Sequence, residues 1–164
     1  MSPQGSAKGL RRMVLGAIVL TLVQAGIGMD VNLYVTVPAR HPGAHPASYF
    51  GGSVHSVGWA IAHGTPALAI HASLGLALVI LVVAVAVRAA TTADRAVIAW
   101  SILAGLLVIG AGFNGASFLD FNDNLSSLIM ALLALGAIAC YSIALFLLPA
   151  TPRQAGQLSG TTVV

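Results

Sequence analysis

The chain has no glutamate, a single cysteine and few charges of either sign: seven Lys and Arg and four acidic residues, all aspartates, in 164. Each shortage excludes something. Charged residues are 7% of the total, against about a quarter in a soluble domain. With one cysteine, Cys140, neither an internal disulfide nor a thiol metal cluster can form. Without glutamate there is no HExxH zinc motif. The membrane-embedded glutamate that would couple a small multidrug exporter to protons is also missing, and coupled transport in general lacks a buried acid. Neither a glycine-rich phosphate loop nor a nucleophile elbow occurs.

What is abundant is hydrocarbon. Apolar residues make up 58% of the chain and the mean hydropathy is +0.95. Four runs reach the roughly 20 residues a helix needs to cross a bilayer: Met13–Val31, Pro66–Val87, Ala96–Phe118 and Leu125–Leu148. They are continuous rather than alternating, which excludes barrel strands. The expectation is an all-α polytopic membrane protein, a bundle of four transmembrane helices forming a single membrane domain over residues 1–164. Short links between the second, third and fourth spans make them antiparallel neighbours.

Lys8, Arg11 and Arg12 precede the first span, Arg88 and Arg95 bracket the link between the second and third, and Arg153 follows the fourth. Six of the seven basic residues thus share one face, with Arg40 opposite. The positive-inside rule then puts both termini in the cytoplasm of a plasma-membrane protein. The pI near 9.6 is a topology signal, and nucleic acid is not an expected partner. The lipid bilayer is, together with partner helices of a membrane complex. A cleaved signal peptide is the competing expectation, with Val23-Gln24-Ala25 before Gly26 as the cleavage site.

An internal repeat argues for keeping the first span. With Arg95 laid on Arg11, Gly110-x-Gly112 falls on Gly26-x-Gly28, Asn114 on Asp30 and Phe118 on Tyr34. The chain then reads as a tandem repeat of two helical hairpins of the same orientation. Gly16, Gly26, Gly28, Gly75, Gly105, Gly110, Gly112 and Gly136 lie in or near spans, where small residues let helices approach closely.

The outer loop, about Val37–Thr65, is long enough to suggest order and function. Pro38, Pro42, Pro46 and Gly43 open it, and Val54–Ala62 can form an amphipathic helix on the membrane with Trp59 as interfacial anchor. That helix should cap the bundle over His71.

All five histidines, His41, His45, His55, His63 and His71, cluster in and beside this loop. His71 lies inside the second apolar run, about 8 Å beyond Pro66 by helix rise. An ionisable group there is costly and a functional reading is the default; the alternative is a neutral imidazole bonded to a serine or a backbone carbonyl. Its ring should face the bundle, toward Gln24, Asn114, Ser126 or Ser127. His55 and His63 suit solvated positions at the interface, and His41 and His45, each followed by proline, an exposed loop. Asp30 and Asp120 suit helix ends at the water boundary.

One deep imidazole, thioethers at Met29 and Met130 and glycine-spaced helices fit heme, which needs an axial imidazole, an apolar slot and a polar end for its propionates. Heme b is the expected cofactor. His71 would be the axial ligand, His63, His55 or Met130 the sixth, and Gln24 and Asn114 would line the site. Copper on His71 and His63 is the alternative, since imidazole and thioether suit it.

The segment Leu22-Val23-Gln24-Ala25-Gly26-Ile27-Gly28, followed by an outer loop and Ile70-His71-Ala72-Ser73-Leu74-Gly75, resembles a hairpin of the heme A synthase family. Spans three and four resemble it more loosely, through Gly110–Asn114 and Ser126–Met130. The family is built from four-helix halves whose histidines hold heme near the outer face, and His71 is the residue that matches a heme-ligand position. Span four has Ser126, Ser127 or Met130 where a second histidine is expected, and the family's outer-loop carboxylate is missing. The resemblance implies a related half-length bundle that binds heme for electron transfer or heme handling, without heme A synthase activity. The competing class is a non-enzymatic accessory or assembly subunit of a membrane complex with no cofactor.

Overall fold

The computed structural model describes residues 3–91 and 94–148, with side chains from residue 7 onward. Arg153, counted above among the basic residues of one face, lies outside them. The described residues form five helices: α1 (Pro3–Tyr34), α2 (Tyr49–His63), α3 (Pro66–Ala90), α4 (Arg95–Phe121) and α5 (Asn124–Leu147). Four of them, α1, α3, α4 and α5, are long and apolar enough to span a membrane. The protein is all-α and multi-pass.

Local chemistry sets the helix ends. Pro66 starts α3 at a position where its missing N–H costs nothing. Asp94 caps α4, its carboxylate accepting from the amides of Ala96 (2.8 Å) and Val97 (3.4 Å). Asn122 ends α4 in the left-handed region (φ 52°), which asparagine tolerates better than most residues. Asp123 then accepts from the Leu125 amide (3.0 Å) and starts α5. This two-residue reversal makes α4 and α5 antiparallel neighbours.

The four spans close into a ring in which α1 packs on α3 and α5, and α4 packs on α3 and α5. The two hairpins of the expected repeat are therefore present as paths. Their matched residues play different parts, however. Gly28 packs on a histidine of α3, whereas the nearest atom to a Cβ on Gly112 is Val79 Cγ2 at 4.0 Å. Asp30 is exposed, whereas Asn114 is half-buried and bonds within its own helix.

The core is built from small and β-branched residues. Ala17, Ala89, Ala104 and Ala137 are fully buried alongside Val14, Val82 and Val85, as close helix approach in lipid requires. Tyr141 and Leu10 are the largest fully buried side chains, and many other large apolar side chains point outward, among them Ile80, Leu106, Leu132 and Phe146, which suits a lipid surround. Gly110 and Gly136 pack against leucines of the facing helix, whereas Gly16 and Gly26 face open space and have no packing role.

Arg11, Arg88 and Arg95 mark one end of the bundle, the basic end. There Arg11 Nη1 donates to the carbonyls of Leu145 (3.3 Å) and Leu148 (2.9 Å), so α1 caps the C-terminus of α5. At the opposite, polar end the loop forms a strap over residues 35–48 and then α2, longer at both ends than the expected Val54–Ala62. α2 packs across α3 and α4 on a small apolar cluster of Ala60, Leu68, Val31, Val37 and Leu119, with Ala72 at its edge.

Candidate functional site

His71 sits on α3 facing α1. Its Cε1 lies where a Cβ on Gly28 would be only 2.8 Å away, so the ring rests directly on the glycine backbone. The contact is reciprocal. Gln24, one turn before Gly28, lays its amide on Gly75, one turn beyond His71, with Nε2 at 3.0 Å from a Cβ position there. Each antiparallel helix thus offers one polar side chain and one glycine, and each side chain fills the space above the other helix's glycine.

The Gln24 amide donates to the His71 carbonyl (2.9 Å) and lies 3.4 Å from His71 Nε2. If that nitrogen accepts the second amide hydrogen, a neutral ring carries its proton on Nδ1. Two buried atoms of this pair then have no partner among the described residues: His71 Nδ1, a donor, and Gln24 Oε1, an acceptor. The sequence placed the imidazole toward the bundle and named Gln24 among its partners, and the geometry agrees on both.

The other residues assigned to the site go elsewhere. Asn114 Nδ2 donates to the Gly110 carbonyl of its own helix (2.9 Å). Ser127 donates to Asn32 Oδ1 (2.9 Å), tying α5 to α1. Met130 packs against α4, with Sδ 3.2 Å from a Cβ position on Gly115. His55 and His63 are exposed on α2. They border a shallow recess of about 260 Å³ with Pro42, Val54, Gly58 and Trp59, which His71 does not line. No group of three or more His, Cys, Asp or Glu able to hold a metal occurs among the described residues.

A second polar cluster was not legible as such. Asp120, expected at the water boundary, is only 1% exposed. Its carboxylate accepts from Ser56 Oγ (2.5 Å) and Ser53 Oγ (3.3 Å) of α2, and its backbone carbonyl accepts from the His45 amide (3.0 Å). His41, expected to be an exposed loop residue, is half-buried. It stacks on Trp59 (centroids 4.5 Å apart) and sets Nε2 3.0 Å from the Leu119 carbonyl. Strap, α2 and the end of α4 are thus one unit. Beside it lies a recess of about 260 Å³ bordered by Val37, His41, His45, Asp120 and Asn122. Gly43 has φ +97° and lies against Ser56 and the Gly52 carbonyl, so a side chain there would meet both strain and overlap.

No protein-family model, curated protein or solved structure matches this chain, so the functional reading rests on its own geometry. For heme that geometry is restrictive. The ring of His71 is covered by Gly28 and Gln24, its unpartnered nitrogen carries the proton when Nε2 accepts from Gln24, and neither recess reaches it. As packed, the residues around His71 do not form a heme slot.

Proposed function

We propose that this chain is a non-enzymatic accessory or assembly subunit of a plasma-membrane complex, with both termini cytoplasmic and the strap and α2 on the outer side. One observation carries the reading: three sets of polar side chains in the outer half are spent on joining helices. Gln24 and His71 join α1 to α3, Ser127 and Asn32 join α5 to α1, and Asp120 joins α4 to α2 through Ser53 and Ser56. Chemistry on a substrate would need such groups free and convergent. What the chain presents instead is outward apolar surface, which partner helices can use as readily as lipid can.

Photo-crosslinkers at Ile80 and Leu132, both strongly exposed, test this in native membranes. Adducts to one defined membrane protein are expected from at least one position; adducts to lipid alone from both would overturn the reading. Reporter fusions after Ala90 and at the C-terminus test the orientation: both should report cytoplasm, and an external C-terminus would refute it.

A second reading has its own support. His71 Nδ1 is buried without a partner, and in the other tautomer, with the ring proton on Nε2, it would carry the free lone pair that an axial heme ligand requires. Heme b held by His71 would need α1 and α3 to part at Gly28. Protein purified in mild detergent would then show a Soret band that His71→Ala abolishes or shifts and His41→Ala leaves alone. A spectrum with no Soret band rejects this reading and leaves the first standing.

A further inference from the structure

We propose that α2 is an interfacial helix seated in the lipid leaflet at the polar end of the bundle, along an edge formed by Phe50, Val54 and Ile61, and that Trp59 faces away from lipid. The proposal rests on the four-span architecture and not on the functional reading above.

The level of α2 comes first. Tyr49, at its start, donates its hydroxyl to the Phe113 carbonyl (2.9 Å) and shares a hydrogen bond with Ser117 Oγ (2.8 Å). Phe50 meets the Phe113 ring edge-to-face, centroids 6.0 Å apart, and Tyr49 meets Phe50 at 5.6 Å. Phe113 is well short of the end of α4 at Phe121. The helix rise separates it from Arg95 by about 27 Å, close to the roughly 30 Å thickness of a bilayer's hydrocarbon core. With Arg95 at one boundary, the Tyr49–Phe50–Phe113 cluster falls at the other, where aromatic belts form. The same arithmetic on α3 puts Ile70 about 27 Å from Arg88, at the same level, and Ile70 is exposed. The last turns of α4, with Ser117 and Asp120, then stand in the headgroup layer.

The face comes second. α2 has 15 residues and none is Asp, Glu, Lys or Arg. At about 22 Å it is too short to cross. Gly52, Ser53, Ser56 and Ala60 point into the protein. Phe50, Val54 and Ile61 share a different face and are 69%, 73% and 37% exposed. That edge continues the exposed surface of α4 at Phe113, on the outside of the four-span bundle. A chargeless helix with such an edge at headgroup level is suited to the boundary between headgroups and acyl chains. Trp59 stands about 180° around the helix from Phe50, at roughly 100° per residue, where it stacks on His41 of the strap.

Depth-resolved quenching tests this with the full chain in phosphatidylcholine vesicles containing brominated acyl chains. Trp59 and Trp100 are the two tryptophans, so Trp100→Phe leaves Trp59 as the reporter. Val54→Trp and Ile61→Trp, each made with both natural tryptophans changed to Phe, report the proposed edge. Bromolipid should quench either edge reporter several-fold more than it quenches Trp59, and iodide in the water should reach the edge poorly. Trp59 quenched as strongly as the edge, or both edge reporters open to iodide, would overturn the proposal. Should one edge variant fail to fold, the other and Trp59 still decide between these outcomes.

Discussion

At the residue scale, glycines two positions apart on α1 should behave oppositely. A methyl group on Gly28 would lie 2.8 Å from His71 Cε1, whereas one on Gly26 would meet nothing within 4 Å. Gly26→Ala should therefore be neutral or gain up to about 1 kcal/mol of helix propensity. Gly28→Ala gains the same propensity but must push the ring away, at an overpacking cost of about 1–3 kcal/mol. Thermal unfolding in detergent should rank them Gly26→Ala at or above wild type and Gly28→Ala below it. A parallel contrast holds for two aspartates. Asp120→Ala leaves two serine hydroxyls without their acceptor and should cost about 1–3 kcal/mol, and it should speed proteolysis between Ser48 and His63. Asp30 is exposed, and Asp30→Ala should stay within about 0.5 kcal/mol of wild type. His71 was legible in the sequence because an imidazole in an apolar run is conspicuous. Asp120 was not, because its partners Ser53 and Ser56 come from a distant part of the chain and nothing local distinguishes it from exposed Asp123. Nor could spacing choose among the partners proposed for His71, since Asn114 and Ser127 are polar and at the right end but find closer acceptors.

At the element scale, hydropathy located the four spans but stopped early at several ends. Helix α4 was read as Ala96–Phe118 and extends over Arg95–Phe121; α1 was read as Met13–Val31 and extends over Pro3–Tyr34. Apolar windows end where polar residues begin, but a helix ends where its backbone is capped or turned, as at Asp94 and Asn122. α2 was read short for a related reason: its first turn, Tyr49 to Gly52, has two glycines and looks like loop until the Tyr49 hydroxyl finds α4. Tyr49→Phe isolates that hydroxyl. It keeps the ring contacts with Phe50 and Phe113 and removes the bonds to the Phe113 carbonyl and Ser117. The expected loss is about 1 kcal/mol, visible as faster protease cleavage across Ser48–His63 with the four spans still intact. Unchanged cleavage would mean that ring packing alone seats the start of α2.

At the scale of the whole molecule, two devices of different origin meet at the basic end. The arginines bias insertion by their charge alone, whichever way their side chains point. Closing the ring of helices, by contrast, requires specific contacts between α1 and α5, the first and last elements of the described chain. Arg11 serves both purposes. Its guanidinium reaches the carbonyls of Leu145 and Leu148, which the end of α5 leaves without intrahelical partners, and its charge opposes the negative end of that helix. Neighbouring Arg12 is exposed. Arg11→Ala and Arg12→Ala therefore remove equal charge from the same boundary and should be equivalent for topology: with Lys8, Arg88 and Arg95 retained, reporter fusions after Ala90 should read the same side in both. They should differ in stability. Arg11→Ala exposes the α5 carbonyls and should lower the unfolding midpoint by the equivalent of about 1 kcal/mol, whereas Arg12→Ala should leave it unchanged. Equal stability of the two variants would show that the α1–α5 seam is held by the buried packing of Leu10 and Val14 and that Arg11 acts only as a charge.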